Sequence, residues 1–151
     1  MKIILGAGCG CLGLVGLACI GLIVWLAFLP ESGALPGSRI TPETREYMYS
    51  HDLLSSDEEV IYYYDATIKV DNSESCFFTD QKIAYYKEGS MTAIPWDEVK
   101  DIDGRDDFNF VISVGSTGNE FLTCEIAPLN GGPEFYKALV STWKNKQEEM
   151  E

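Results

Sequence analysis

Few of the 151 residues carry side chains suited to covalent or acid–base chemistry, and their spacing decides what they could do. His51 is the only histidine. A nucleophilic triad or a histidine-containing metal site needs that residue set among partners, whereas His51 stands beside Asp52 at the end of a short surface helix. The densest run of carboxylates is Asp97, Glu98, Asp101, Asp103, Asp106 and Asp107. Oxygen ligands at alternate positions suit Ca²⁺, but an EF-hand loop places glycine sixth and glutamate twelfth. Counted from Asp101, Gly104 comes fourth and no glutamate stands twelfth, so the run reads as a solvated acidic loop. A hydrolytic pair of carboxylates needs a cleft and a substrate frame, and nothing in the pattern supplies either. No catalytic, metal or cofactor residue is therefore assigned.

Cys76 and Cys124 fall on the inward sets of two alternating segments. They read as small core residues, with a disulfide open to them if the domain lies in an oxidising compartment. Tyr62, Tyr63, Tyr64, Tyr85 and Tyr86 read as wall and core rather than as a binding patch.

Charge excludes another class. All 24 acidic residues lie after residue 30, where 10 of the 11 basic ones also lie. Such a surface repels phosphate backbones and anionic headgroups, which call for clustered Lys or Arg. Nucleic acid is not an expected partner.

The segment before that charge is a different material. Ile3 to Leu29 holds no charged residue. At about 1.5 Å per residue it outruns a hydrocarbon core of about 30 Å. Trp25 and Phe28 lie where aromatic rings favour the headgroup layer. A signal peptide has a shorter apolar stretch, although Ser32, Gly33 and Ala34 suit a cleavage site. A lipidated cysteine is disfavoured, because Gly6, Gly8 and Gly16 stand three before Cys9, Cys11 and Cys19. The expectation is an uncleaved single-pass anchor in the cell membrane. Gly6, Gly10 and Gly13 offer a helix-association face that permits a homodimer. Lys2 favours a cytoplasmic N-terminus and an extracytoplasmic domain, although Arg39 and Arg45 weaken the asymmetry.

The elements follow from turn residues and periodicity. The expected division is an anchor at 1–30, a linker at 31–40, a short helix at 41–55, a domain at 56–147 and an acidic tail at 148–151. Thr41-Pro42 reads as an N-cap with proline in the first helical turn. Val60–Val70 alternates, with Val60, Tyr62, Tyr64, Ala66, Ile68 and Val70 on one face. Short strands follow around Ser75–Thr79, Ile83–Tyr86 and Ile94-Pro95-Trp96. Asp101–Asp107 reads as a loop. Phe108–Val114 and Leu122–Ile126 make a hairpin around Gly115–Asn119. Phe135, Leu139 and Trp143 form one stripe of a closing helix.

This order resembles the bacterial PH-like and GRAM-like domains. The residues that carry the resemblance are Asp57-Glu58-Glu59-Val60-Ile61, Cys76-Phe77-Phe78-Thr79-Asp80-Gln81-Lys82-Ile83-Ala84-Tyr85-Tyr86 and Ile94-Pro95-Trp96-Asp97-Glu98-Val99, with the helix Pro133–Lys144 after them. The elements give an α+β fold of about six to seven antiparallel strands capped by a C-terminal helix, with one transmembrane helix before it. The resemblance implies that the strands form a PH-like partial barrel of two sheets with one end closed by that helix. It implies little about function, since this fold carries binding roles of many kinds, and the missing catalytic set makes an enzyme unexpected. Phosphoinositide-binding PH domains carry Lys and Arg in the loop after the first strand. Here that loop is Lys69-Val70-Asp71-Asn72-Ser73-Glu74, so phosphoinositide is not supported. The expected function is a membrane-tethered, non-catalytic module that holds an unknown protein partner. The alternative is a binder of a small ligand or lipid at the open end of the barrel.

Overall fold

The computed structural model describes residues 33–67, 71–106, 110–126 and 130–150. The expected anchor, with Gly6, Gly10 and Gly13, lies outside the described residues. Among the described residues, no helix is long and apolar enough to cross a membrane.

Eight antiparallel strands form two sheets among the described residues. The first contains β1 (Leu35–Pro36), β2 (Val60–Asp65), β3 (Glu74–Thr79), β4 (Lys82–Lys87) and β5 (Ser90–Pro95), side by side in that order. The second contains β6 (Val99–Asp106), β7 (Phe110–Ser116) and β8 (Phe121–Ile126). Helix α1 spans Pro42–Ser50 and helix α2 spans Gly132–Met150.

The PH-like order is retained, but the expected barrel of six to seven strands is corrected in two respects. The sheets remain separate and do not close into a barrel. Two segments read as irregular are strands. Asp101–Asp107 was expected to be a loop because of its charge, yet Val99–Asp106 pairs along β7, with Ile102 opposite Val114. Asp101 and Asp103 simply face solvent. Gly104 lets α2 approach, since a Cβ there would stand 2.6 Å from the Tyr136 ring. Leu35-Pro36, within the stretch read as linker, pairs with Tyr63 and Tyr62 and lengthens the first sheet.

One core fills the space between the sheets. Phe78, Ile83, Ile94, Ile112, Val114 and Ile126 are fully buried there. Helix α2 closes this core with Phe135 and Leu139, and the Phe135 ring stands edge-on to Phe78 at 5.1 Å. The helix runs on to Met150, through the segment expected to be a separate tail.

A second core lies on the other face of the first sheet. Tyr63, Phe77, Ala84 and Tyr86 meet Ile40, Met48, Leu53 and Leu54. Thr41 starts α1 by accepting the Thr44 N–H at 3.1 Å, and Pro42 follows in the first turn. The helix stops at Ser50, short of the end of the helical segment expected at 41–55. Asp52 adopts φ +56° and the Leu53 N–H returns to the Met48 carbonyl at 2.9 Å. That C-cap turns Leu53 and Leu54 back into the core. A register shift between Val60 and Tyr62 also moves Val60 into this second core, off the face expected from alternation. A bulge adds one residue to one strand and so exchanges faces.

Candidate binding cleft

The motif residues converge first on a structural corner. Glu58 is buried and receives the Thr79 hydroxyl at 2.7 Å, the Lys82 ammonium at 3.0 Å and the Ser55 N–H at 3.1 Å. Thr79 Oγ1 in turn accepts the N–H groups of Gln81 at 3.0 Å and Lys82 at 3.1 Å. The Trp96 indole donates to the Thr79 carbonyl at 3.0 Å. A carboxylate held this way is satisfied rather than available. These contacts fix the β3–β4 turn and the exit from β5 towards the second sheet. The corner is architecture, and it fixes where the cleft lies.

Strand β8 crosses the inner face of the first sheet. At one end Phe121 stands beside Met91, Thr92 and Ala93 of β5. Three residues on, Cys124 is joined to Cys76 of β3 in a disulfide, with Cα atoms 5.9 Å apart. The first sheet extends past β8, leaving a cleft of about 470 Å³. Ala66, Glu74, Tyr85 and Thr92 contribute to its floor, while Phe121, Thr123 and Glu125 contribute to its wall. Phe121 is 66 % exposed and Met91 38 %, a marked exposure for large apolar side chains.

Three polar groups of the cleft floor are paired with one another. The Tyr85 hydroxyl donates to Glu74 Oε1 at 2.5 Å, and Lys87 Nζ lies 3.0 Å from Glu74 Oε2. The Tyr85 hydrogen bond, then Lys87, holds the Glu74 carboxyl below its ordinary value against partial burial. Burial first, then Glu74, pushes the Tyr85 phenol up to about 12. At neutral pH the phenol stays a donor and the carboxylate stays ionised. Cys76 is held in the disulfide, so it supplies no thiolate. The cleft can hydrogen-bond and attract cations.

The other residues singled out by sequence lie elsewhere. His51 is exposed on the side of the first sheet away from the cleft, stacked on Tyr47 at 3.8 Å. Asp97, Glu98, Asp101 and Asp103 are exposed, while Asp107 lies outside the described residues and the Asp106 side chain is not described. Among the described residues, no group of three or more His, Cys, Asp or Glu is placed to hold a metal ion. Tyr62 and Tyr64 pack in the first core and Tyr63 and Tyr86 in the second, while Tyr85 and one side of Tyr64 line the cleft.

The β2–β3 loop is organised around an acid. Asp65 accepts the N–H groups of Thr67 at 2.8 Å and Asn72 at 2.7 Å, and the Tyr63 hydroxyl donates to Asn72 Oδ1 at 2.8 Å. Lys69 lies outside the described residues. A phosphate site needs several cationic donors, and the described part of the loop supplies a buried carboxylate instead.

The exposed edge of β8 and Phe121 were not singled out by sequence. Phe121 is out of phase with Leu122, Cys124 and Ile126, and that phase was the available signal. The family model described as "Bacterial PH domain" matches residues 54–139. No curated protein and no solved structure matches.

Proposed function

Because the chain belongs to the bacterial PH domain family, we propose that it is a membrane-tethered, non-catalytic module that holds a protein partner in the cleft between its sheets. PH-like domains are binding modules, and their ligands must be argued from the site rather than from the fold. The observation that carries this reading is the cleft itself, open beside β8 and rimmed by exposed Phe121, with exposed Met91 lining the adjoining hollow. Aromatic residues and methionine are favoured where proteins meet.

The uncharged run at 3–29 supports the tether as a single-pass anchor in the cell membrane. The Cys76–Cys124 disulfide supports an extracytoplasmic position, where such bonds persist. The net charge of −13 disfavours nucleic acid and anionic headgroups. Self-association through Gly6, Gly10 and Gly13 is compatible with this reading.

The test is photocrosslinking in intact membranes, with a photoreactive residue at Phe121 or, as a control, at Glu43 of α1. The expected result is a discrete protein adduct from Phe121 alone. Equal adducts from both positions, or none from Phe121, would contradict the reading.

A second reading is favoured by volume. A cleft of about 470 Å³ falls in the range of small-ligand pockets, roughly 300–1,000 Å³. Native mass spectrometry of the purified chain tests it. A stoichiometric small molecule or lipid, displaced by Tyr85→Ala, would favour this alternative over the protein partner.

A further inference from the structure

Among the described residues, strand β8 has a sheet neighbour on one side only. It pairs with β7 from Gly115–Phe121 to Phe110–Ile126 without a register shift. Alternate backbone N–H and C=O groups along its other edge therefore point away from the second sheet. Proteins blunt such edges with proline, bulges or several charges. Strand β8, Phe-Leu-Thr-Cys-Glu-Ile, has no proline, a regular register and Glu125 as its one charge. The edge opens on the cleft, with Phe121, Thr123 and Glu125 beside it and Ala66, Tyr85 and Thr92 beneath.

Charge selects the occupant. Glu120 and Glu125 are exposed along or next to β8. The cleft's lysine, Lys87, is already paired with Glu74 at 3.0 Å. A second copy of the same edge would set acids against acids, in a chain of net charge −13. A basic segment meets opposite charge at the same positions.

We propose that the free edge of β8 takes up an extended basic segment of the partner protein as a fourth strand of the second sheet. This rests on the protein-binding reading above. One alternate set of the segment's side chains lies over the floor at Ala66, Tyr85 and Thr92, where small apolar groups fit. The other set lies beside Phe121, Thr123 and Glu125, where Lys or Arg fits. Main-chain pairing supplies the affinity and the alternating side chains supply the selection.

The probe is a fluorescent decapeptide of alternating Lys and Val, measured by anisotropy against the full chain in detergent micelles. Two further peptides carry N-methyl groups on every Lys amide or on every Val amide. An added strand turns one of these sets towards β8 and the other outward. One methylated peptide should bind at least about 10-fold more weakly, as expected for losing two or more hydrogen bonds. The other should bind like the parent. Glu125→Lys, a surface change that leaves the fold intact, should also weaken the parent peptide. Equal behaviour of the two methylated peptides, equal binding of a Glu-Val decapeptide, or no binding at all would overturn strand addition. If strand addition fails while Phe121 still crosslinks to a protein, the protein-binding reading survives. If both fail, neither stands.

Discussion

Thr79 ties three segments of chain together through one side chain and one carbonyl. Its hydroxyl satisfies Glu58 and receives two N–H groups, while its carbonyl receives Trp96. Thr79→Val keeps the shape and removes these bonds, leaving a buried carboxylate short of a donor. It should lower unfolding free energy by roughly 1–3 kcal/mol, read from urea denaturation. Lys82→Met removes the charge paired with Glu58 and should cost about 3 kcal/mol by the same measurement. In the cleft, Glu74 has a lowered pKa, so its pairing stabilises the fold above the ordinary carboxylate range and is lost as pH falls through the folded value. Tyr85 has the opposite dependence. Its pKa rises from 10.0 to about 12, so its contribution is complete below pH 10.0 and is lost as pH rises towards about 12. Tyr85→Phe should move the Glu74 carboxyl upward, towards its ordinary value, in an NMR titration. An unchanged Glu74 would mean that the hydrogen bond does not set its acidity. The residues of this corner were legible as a motif in the order Asp57–Val60, Thr79–Lys82 and Ile94–Val99. Their convergence on Thr79 was not, because hydrogen bonds between segments so far apart in the chain leave no periodic trace.

At the scale of elements, patterns with one buried face were read most directly. Ile112 and Val114, like Leu122, Cys124 and Ile126, alternate and are buried as alternation requires. Phe135 and Leu139 of the closing helix behave likewise. The first sheet was harder, because it is covered on both sides. Tyr62–Tyr64, Phe77-Phe78 and Tyr85-Tyr86 are unbroken apolar runs, the mark of a strand buried on two faces. Alternation says nothing about what covers the second face. The cover is Ile40, Met48, Leu53 and Leu54, from the stretch read as linker and surface helix. Met48 is fully buried, so Met48→Ala should destabilise by about 2–5 kcal/mol in the same denaturation. A free linker and helix would show almost no change. Gly37 gives a second check. A Cβ there would stand 1.7 Å from the Val60 carbonyl oxygen, so Gly37→Ala must displace the turn that carries the cover.

Across the whole molecule, the two sheets are joined by core packing and by one covalent bond. The disulfide spans 48 positions of sequence. Closing a loop of that size stabilises by roughly 4 kcal/mol through loss of unfolded-state entropy. The Cys76→Ser, Cys124→Ser double variant should therefore melt well below the parent, and the parent in reductant should melt with the variant. A reductant-insensitive melting curve would mean that the thiols are not bridged. The acidic character and the PH-like order of elements were legible in the sequence, because composition and local periodicity carry that information. Neither locates the cleft, which exists only because β8 crosses the first sheet short of its end. The central claim is that this cleft holds a protein partner. The measurement that tests it most directly is quantitative co-purification from crosslinked membranes, comparing the parent chain with Phe121→Asp and Glu43→Lys. The account predicts a protein recovered with the parent and with Glu43→Lys but depleted with Phe121→Asp, at unchanged melting temperature. Equal recovery with all three chains would contradict it.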